Sequence, residues 1–335
     1  MTAPPTVAVM GAGSIGCWAG GLLAAAGLPV TLIGRERLRE SVSTSGLTVV
    51  TLDGKRHHVD VSVSTTPDGA AGASHVLVAV KGGDTAAAAA AVRPHLAPDT
   101  VVVSLQNGLR NPDRLRAALP GHRVVPGMVS FNVVWGDGAT FTQTTSGPIA
   151  LARGGAPALA AALRARGVPV VEVPDMQGVQ WAKLILNLNN AVNALSGVGL
   201  RDELSQRGYR RVLAAAMREA WRALRAAGLR PVPVGRMRPA LAPWILPLPD
   251  RLFRALAAPM IRIDPAARSS MADDLARGRR TEVRDINGEV VALGAHVGVS
   301  TPVNDALVRL VEAAAAAGGG SPGLGPEQLL ERCRL

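Results

Sequence analysis

The sequence predicts an α/β protein in which a domain of alternating strands and helices is followed by a mainly α-helical domain. Residues 6–10 and 29–33 are short apolar runs that enclose a glycine-rich turn and a helical stretch, the order of a parallel strand–helix–strand unit. Similar apolar runs recur up to residue 173, whereas helical spacing of apolar residues dominates after Pro174. We therefore predict two domains, residues 1–174 and 175–335, with a flexible tail from about residue 318.

Composition limits the classes of protein that fit. A chain of 335 residues with 48% hydrophobic residues can bury sizeable cores, and its two cysteines do not make a disulfide framework, which favours a reducing cytoplasm. The net charge of +11 is also typical of nucleic-acid-binding proteins, but the arginines are spread along the chain and aromatic residues are only 3%. The histidines are scattered, and no stretch has the length and purity of a membrane helix. We expect a cytoplasmic enzyme for anionic small molecules, with no nucleic acid, membrane or metal partner, as a monomer or homodimer.

The glycine-rich turn predicts a dinucleotide-binding, Rossmann-type first domain. It follows the first strand and opens a helix, which makes the pattern far more specific than the bare motif. Gly11 allows the tight turn, Gly13 lets a pyrophosphate approach the backbone, and Gly16 lets the helix pack close to the strand. Phosphates would meet free N–H groups and the positive end of the helix dipole. The predicted cofactor-binding residues of this turn are Gly11, Ala12, Gly13, Ser14, Ile15 and Gly16.

The end of the second strand indicates which cofactor binds. An acidic residue there would accept hydrogen bonds from a ribose 2′-hydroxyl, whereas this chain places Arg35 after Gly34. A guanidinium favours a 2′-phosphate and hence NADP(H), although Glu36 keeps NAD(H) open.

Later strands of the first domain add two candidate residues. Lys81 follows the strand at 75–80, and Asn107 follows the strand at 100–105. Because ligands bind at the carboxyl ends of parallel strands, both residues fall at the cofactor edge. We also expect a hairpin in residues 46–64, a helix capped by Asp84, and a β meander in residues 131–152.

Lys183 stands out in the predicted helical domain because it lies in an apolar run, residues 181–190. An unpaired buried charge loses several kcal/mol of hydration, so a polar group should meet this lysine. Only three of the 36 basic residues are lysine. This ratio indicates a compositional bias that replaces lysine with arginine wherever arginine can perform the same role. A retained lysine favours proton release near neutral pH, which arginine cannot perform. A snorkelling or ion-paired lysine is the structural alternative.

Two asparagines extend the polar face of this helix. At 100° per residue, Asn187 lies about 40° and Asn190 about 20° from Lys183 around the axis, nearer than Asn193. Farther on, residues 269–274 predict a capped helix start, with Ser270 as a plain N-cap in the structural interpretation, and Thr301 precedes a proline as a second N-cap. The proline-rich insertion 231–263 predicts one short amphipathic helix at 251–257, as a flap or a surface excursion.

Together these motifs resemble the ketopantoate reductase (2-dehydropantoate 2-reductase) family along almost the whole chain. The residues that carry the resemblance, besides the glycine motif, are Arg35, Lys81, residues 106–108, residues 181–184, Asn187, residues 269–271, residues 281–282 and residues 286–288.

The resemblance implies an NADPH-dependent reductase of a 2-oxo acid. Lys183 resembles the general acid that protonates the ketone oxygen, and Glu282 resembles the carboxylate beside the substrate hydroxyl and the cofactor. Asn187 and Ser270 resemble substrate-binding residues. Lys81 and Asn107 resemble cofactor-side residues, with Asn107 also touching substrate, and Val133 joins the cofactor cleft by position.

Two departures from the family pattern leave the substrate open. The family asparagine eight residues after the lysine is Ala191 here, and a further asparagine position is Arg201. We predict that Asn190 substitutes for the missing amide, because it shares the face of Lys183. The expected reaction is ketopantoate reduction in the cleft between the domains. The alternatives are reduction of another 2-oxo acid and a regulatory protein that senses NADP(H) without turnover.

Overall fold

The structure, a computed structural model, describes residues 4–233, 239–257 and 267–335. The chain forms two compact units, Met1–Gln180 and Trp181–Leu335. The predicted boundary near Pro174 lies just before the helix Met176–Asn187, within which the two units divide. Among the described helices, none combines the length and the apolar character needed to cross a membrane.

The first unit is built on a mostly parallel sheet. Within the described residues this sheet has the order β12-β11-β8-β7-β6-β1-β2-β5, and β11 runs antiparallel to β8. Its strands are β1 (Val7–Met10), β2 (Val30–Ile33), β5 (Ser62–Ser64), β6 (His75–Val78), β7 (Val101–Ser104), β8 (Arg123–Val129), β11 (Ile149–Ala152) and β12 (Val170–Val173). The near-continuous apolar strands, with helices between them, confirm the predicted Rossmann-type arrangement.

A second, smaller sheet completes this unit. It has the order β4-β3-β10-β9 and contains β3 (Leu47–Val50), β4 (Arg56–Val59), β9 (Val133–Trp135) and β10 (Thr140–Gln143). The antiparallel β3–β4 pair confirms the predicted hairpin. The predicted meander over residues 131–152 is wrong, because β9 and β10 join this small sheet while β11 joins the large one.

Helices flank the large sheet: α1 (Ser14–Ala25), α2 (Glu36–Ser45), α3 (Thr85–Val92), α4 (Asn111–Ala118) and α5 (Pro157–Ala165). Trp18 of α1 is fully buried, and its indole N–H donates to the Val50 carbonyl at 3.2 Å, which ties the first helix to the small sheet. The predicted Asp84 cap is wrong, since its side chain makes no capping hydrogen bond. The Thr85 hydroxyl instead donates to the Gly82 carbonyl at 2.9 Å.

The second unit is helical, as predicted. Its helices, beginning with the one shared at the unit boundary, are α6 (Met176–Asn187), α7 (Asn189–Ser196), α8 (Leu200–Ser205), α9 (Arg207–Ala226), α10 (Ala242–Ile245), α11 (Asp250–Ala257), α12 (Ser270–Ala276), α13 (Val283–Val297), α14 (Pro302–Ala317) and α15 (Pro326–Arg332). Helices α12 and α14 pack against α7, and α13 packs against α14 and α9.

Parts of the proline-rich insertion lie outside the described residues, namely 234–238 and 258–266. The predicted amphipathic helix is present as α11, but α10 was not predicted. The buried guanidinium of Arg210 donates to the carbonyls of Leu246 (2.8 Å) and Leu248 (3.0 Å) and to the Asp250 carboxylate (2.7 Å). These bonds attach the described part of the insertion to α9.

The predicted flexible tail is wrong. Leu329 and Leu330 of α15 are buried, and α15 packs against α9. The chain leading to α15 is fixed by the Leu324 amide, which donates to the Leu195 carbonyl at 2.9 Å. The Tyr209 hydroxyl donates to the Leu324 carbonyl at 2.8 Å. Glycines before α15 suggested a linker, but the apolar pair in the helix decides its packing.

Candidate functional site

The candidate cofactor site lies at the carboxyl edge of the large sheet. In this sheet the chain runs from β1 outward to β2 and β5 and then returns to β6 on the other side of β1, so the strand order reverses between β1 and β6. Open parallel sheets bind ligands at this kind of reversal point. Gly11 lies there with φ of +99°, and a Cβ on it would come within 2.6 Å of the Val80 amide nitrogen. Only glycine fits this turn.

The other two motif glycines also have the predicted geometry. A Cβ on Gly16 would collide with the Gly11 carbonyl oxygen, so this glycine permits the close contact of α1 with the turn. Gly13 is exposed, and a Cβ on it would meet nothing within 4 Å, so space is open above the helix start. The first N–H groups of α1 have no intrahelical acceptor, because the first turn of any helix lacks them. Ala12 is buried, whereas Ser14 and Ile15 are partly exposed in the first turn of α1.

A buried amide network, which the sequence analysis missed, fixes the loops after β6 and β7. The Gln106 amide donates to the Val80 carbonyl at 2.9 Å and to the Thr85 hydroxyl at 2.7 Å. The Ser104 hydroxyl donates to the Gln106 oxygen at 3.1 Å, and the Thr85 hydroxyl, whose one proton is shared with the Gly82 carbonyl, lies 3.0 Å from the Asn111 oxygen. Gln106 is the neighbour of Asn107, and Val80 is the neighbour of Lys81. The network therefore fixes the backbone beside both predicted cofactor residues.

The predicted residues Lys81 and Asn107 lie at the same sheet edge as the glycine turn, as expected from their strands. Lys81 is exposed, and its carbonyl accepts from the Asp84 amide at 2.9 Å. Asn107 is partly buried, and its carbonyl accepts from the Asn111 amide group at 2.6 Å. Val133 begins β9 in the small sheet and packs against the core of this unit.

The tip of β2 carries an asymmetric charge arrangement. Arg35 is exposed at the N-cap position of α2, and its carbonyl accepts from the Leu38 amide at 2.9 Å, whereas its guanidinium makes no hydrogen bond or ion pair with another described residue. Glu36 is bound by Arg39, whose Nε lies 3.0 Å from each carboxylate oxygen; hydrogen bonding to Arg39 lowers the pKa of the Glu36 carboxyl. Arg37 stacks on the Trp135 ring, 5.0 Å from its centroid. The strand tip thus presents a guanidinium, while the nearby carboxylate is already paired.

Lys183 lies in the second unit, on the apolar helix α6. Its neighbours Ala182, Leu184 and Ile185 are buried, and the lysine itself is partly exposed. Burial of the ammonium group lowers its pKa from the usual 10.5 to about 8. Desolvation penalises the charged form and places proton release close to physiological pH. This is the property that the lysine-poor composition predicted for Lys183.

The predicted polar face runs from α6 into α7. α6 ends at Asn187 and α7 begins at Asn189, with Leu188 between them. Lys183 and Asn187 share one helix at an offset of one turn, so they lie on one face as predicted. Leu188 keeps right-handed helical angles (φ −55°, ψ −24°) and its amide donates to the Leu184 carbonyl at 3.0 Å, so the placement of Asn190 on the Lys183 face stays a prediction. Asn190 is partly buried, and its carbonyl accepts a hydrogen bond from the Ser269 hydroxyl at 3.3 Å.

The start of α12 is fixed from α7. Ser269, not Ser270, is the N-cap: its hydroxyl oxygen accepts from the Ala272 amide at 3.1 Å. Asn193 is fully buried, and its side-chain oxygen accepts from the Ser269 amide at 2.8 Å. The structural interpretation of Ser270 as an N-cap is therefore wrong. Ser270 is exposed in the first turn of α12 and remains available for a ligand.

Glu282 is partly exposed at the N-cap position of α13. Helix α13 is in turn held to α14 by the buried pair Asn287–Asn304, at 3.1 Å. Thr301 makes no capping hydrogen bond, contrary to prediction. The Glu219 carboxylate of α9 caps α14 instead, accepting from the amides of Val303 and Asn304 at 2.9 Å each.

The structure thus assembles two sets of predicted residues. The glycine turn, Arg35, Lys81 and Asn107 share one sheet edge in the first unit. In the second unit, Lys183 and Asn187 share a helix face, and Ser269 links Ser270 to Asn190. The joint placement of Lys183 with Glu282 stays a prediction. Arg201, at a family asparagine position, is exposed on α8. Among the described residues, no group of three metal-ligating side chains is present.

These features define a dinucleotide-binding protein of the Rossmann class with a helical second unit that carries a lysine of lowered pKa. A sequence model described as "Ketopantoate reductase PanE/ApbA" matches residues 7–155, and one described as the C terminal part of the same family matches residues 175–315. The chain belongs to the ketopantoate reductase family. A 2-dehydropantoate 2-reductase from Halobacterium salinarum is 31% identical over 320 residues, covering 92% of this chain and 98% of that protein.

One solved structure supports the same family, and a second shares the fold. A PanE/ApbA family ketopantoate reductase from Ralstonia eutropha JMP134 matches with 34% identity and a TM-score of 0.80, covering 93% of this chain and 99% of that one. A D-mandelate dehydrogenase with NADH and anilino(oxo)acetate matches with a TM-score of 0.76 at 20% identity, over 93% and 99% of the chains, which shows a shared fold. Membership of the ketopantoate reductase family implies an oxidoreductase with a nicotinamide cofactor and a small-molecule substrate.

Proposed function

We propose that this chain reduces 2-dehydropantoate (ketopantoate) to pantoate with NADPH, a step of pantothenate biosynthesis. The relatives that carry the name 2-dehydropantoate 2-reductase support the reaction class over most of the chain. The observation that carries the proposal is Lys183: it lies in an apolar helix, and burial lowers its pKa to about 8. A group that releases its proton near neutral pH suits a general acid.

The glycine turn fits a dinucleotide. The positive φ of Gly11, the close packing at Gly16 and the open space at Gly13 are what a pyrophosphate at a helix start requires. Gly11, Ala12, Gly13, Ser14, Ile15 and Gly16 would hold it, with Lys81, Asn107 and Val133 along the same cleft. When bound, the nicotinamide supplies the hydride.

NADP(H) is the preferred cofactor because of the β2 tip. The exposed Arg35 guanidinium offers a charge-assisted contact to a 2′-phosphate. Glu36, the residue that would favour NAD(H), has its carboxylate paired with Arg39. The D-mandelate dehydrogenase neighbour binds NADH, so the fold alone does not select the cofactor. The selection would come from Arg35.

Lys183 would hold and deliver the proton. Hydride addition to a ketone builds negative charge on its oxygen, and a positioned ammonium stabilises that charge and then protonates it. In the reverse direction the neutral amine would accept the proton from the hydroxyl. Glu282 would lie beside the substrate hydroxyl, as the family resemblance implies, and would complete the catalytic pair.

Neutral donors would bind the substrate carboxylate. Asn187 lies one turn after Lys183 on α6. The exposed Ser270 lies at the start of α12, and Ser269, the residue before it, contacts Asn190. Amide N–H and hydroxyl groups can donate to a carboxylate without a metal. Asn107 would contact substrate from the cofactor side. The proposal includes a cytoplasmic monomer or homodimer with no nucleic-acid or membrane partner.

Reduction of another 2-oxo acid is the second candidate, and a specific observation favours it. Ala191 is fully buried where the family has an asparagine, so an amide is absent from that position, and Arg201 replaces another. A changed set of donors would suit a different acyl chain.

The decisive experiment is an NADPH-oxidation assay across 2-oxo acids that differ in branching and length. We expect the highest kcat/KM with 2-dehydropantoate and little turnover with NADH. A higher kcat/KM with another 2-oxo acid would support the second candidate. Absence of turnover with every acid, despite NADPH binding measured by calorimetry, would support the sensor alternative and reject the proposal.

A further inference from the structure

We infer that Asn193 is a positioning residue for the substrate, acting through Ser269 and Ser270. This inference rests on the proposed function, since Ser270 is the substrate-binding serine of that proposal. Asn193 lies on α7, three residues after Asn190, and is fully buried, so it acts without touching substrate.

Both the oxygen and the nitrogen of the Asn193 side-chain amide form hydrogen bonds. Its oxygen accepts from the Ser269 backbone amide at 2.8 Å, across 76 residues of sequence. Its amide group donates to the Glu203 Oε2 atom at 2.7 Å and to the Val198 carbonyl at 3.0 Å. One planar amide therefore joins α7, the loop after it, α8 and the residue that begins α12. Its orientation is set on the donor side by two acceptors and determines where Ser269 lies.

A second contact fixes the same point. The Ser269 hydroxyl donates to the Asn190 carbonyl at 3.3 Å and accepts from the Ala272 amide at 3.1 Å. Ser269 is thus held through its amide and its hydroxyl, while Ser270, the next residue, is exposed. Because productive geometry requires ligand contacts within fractions of an ångström, the clamp on Ser269 determines how well Ser270 can meet a carboxylate.

Glu203 is the buried anchor of this clamp. It lies on α8 and is 1% exposed, and desolvation raises the pKa of its carboxyl to about 8, so the carboxyl is mostly neutral at pH 7. The acceptor function towards Asn193 needs no charge. A glutamine can reproduce it, whereas an alanine cannot. Comparing Glu203→Gln with Glu203→Ala therefore distinguishes the effect of the hydrogen bond from the effect of the ionisable carboxyl group.

The test compares Asn193→Ala with Thr100→Val, a control that also removes one buried side-chain hydrogen bond. Thr100 is 1% exposed and lies just before β7, at the end of that strand opposite the cofactor edge, and its hydroxyl donates to the Ala73 carbonyl at 2.9 Å. Both variants should melt earlier than the wild type. We expect Asn193→Ala to raise KM for the 2-oxo acid about tenfold, the loss of one buried hydrogen bond, with an unchanged Kd for NADPH. Thr100→Val should keep KM within about twofold of the wild type.

A second pair keeps the inference testable if Asn193→Ala does not fold. Glu203→Gln should keep the wild-type KM, and Glu203→Ala should raise it with NADPH binding intact. Equal KM values for Asn193→Ala and Thr100→Val, or for the two Glu203 variants, would overturn the inference, whereas turnover by the wild type would leave the proposed function standing. A wild type that reduces none of the 2-oxo acids would overturn both.

Discussion

The pH dependence of the reaction gives the sharpest test of Lys183. Burial places its pKa at about 8, and only the ammonium form can donate the proton during reduction. About 91% of the lysine is protonated at pH 7 and about 9% at pH 9, so kcat/KM for reduction should fall roughly tenfold between them. The reverse reaction needs the neutral amine, so oxidation of the 2-hydroxy acid should rise over the same interval.

The titration of Lys183 should also make the free energy of unfolding depend on pH, and the lowered pKa fixes the direction of that dependence. The folded-state pKa of Lys183 is depressed below its usual 10.5, so the unfolded chain binds more protons between pH 8 and 10.5. The free energy of unfolding should therefore rise as pH increases through this window, by at most about 3 kcal/mol from this group. Lys183→Met should abolish this pH-dependent component.

The assay is initial-rate NADPH oxidation from about pH 6.5 to about pH 9.5, with the reverse reaction measured in the same buffers. Lys183→Ala serves as the control and should lose about 10²- to 10⁴-fold in turnover with NADPH binding nearly unchanged. Lys183→Arg should be severely impaired as well, because guanidinium holds its proton. A flat profile through pH 8 in both directions, or retained turnover in Lys183→Ala, would refute the assignment of Lys183 as the acid.

Further predictions address the cofactor, the substrate and the fold. Arg35→Ala should weaken NADPH binding far more than NADH binding, and calorimetry that shows equal losses would make Arg35 a mere surface residue. Asn190→Ala should raise KM with a loss of about 1–3 kcal/mol if its amide binds substrate, and Asn187→Ala in the same assay provides the comparison; an earlier melting point with unchanged kinetic constants would make Asn190 structural. Glu219→Gln should lower stability by about 1–3 kcal/mol, because the glutamine amide offers one acceptor to the two backbone donors of α14. A denaturation midpoint equal to that of the wild type would contradict this capping role.

The cofactor edge could be predicted from sequence because its determinants are local. Gly11 needs a positive φ and Gly16 a close contact within the same turn, so a six-residue pattern contains the whole requirement. The lowered pKa of Lys183 was likewise foreseeable, since its apolar neighbours on α6 supply the desolvation.

Contacts between distant parts of the chain were not predictable in this way. Thr301 has the sequence of an N-cap, but Glu219 caps α14 from 84 residues away. The glycine-rich stretch before α15 suggested a loose tail, whereas burial of Leu329 against the second unit decides its packing. Tertiary contacts outweigh these local preferences because each capping residue or turn contributes only about 1 kcal/mol.

The Gln106 network and the contact of Asn193 with Ser269 share one arrangement that the sequence alone does not reveal. Gln106 and Ser269 are buried and hydrogen-bonded, while the next residue is partly exposed in the case of Asn107 and exposed in the case of Ser270. Just after a strand or just before a helix, neighbouring side chains point in different directions, so one can anchor the backbone while the next faces a ligand. An anchor and a ligand-binding residue therefore look alike in the sequence, because both are small polar side chains. They differ in their partners, because the anchor hydrogen-bonds to other protein groups and the ligand-binding residue contacts the ligand. Substitution of an anchor should therefore alter KM without removing any contact to substrate.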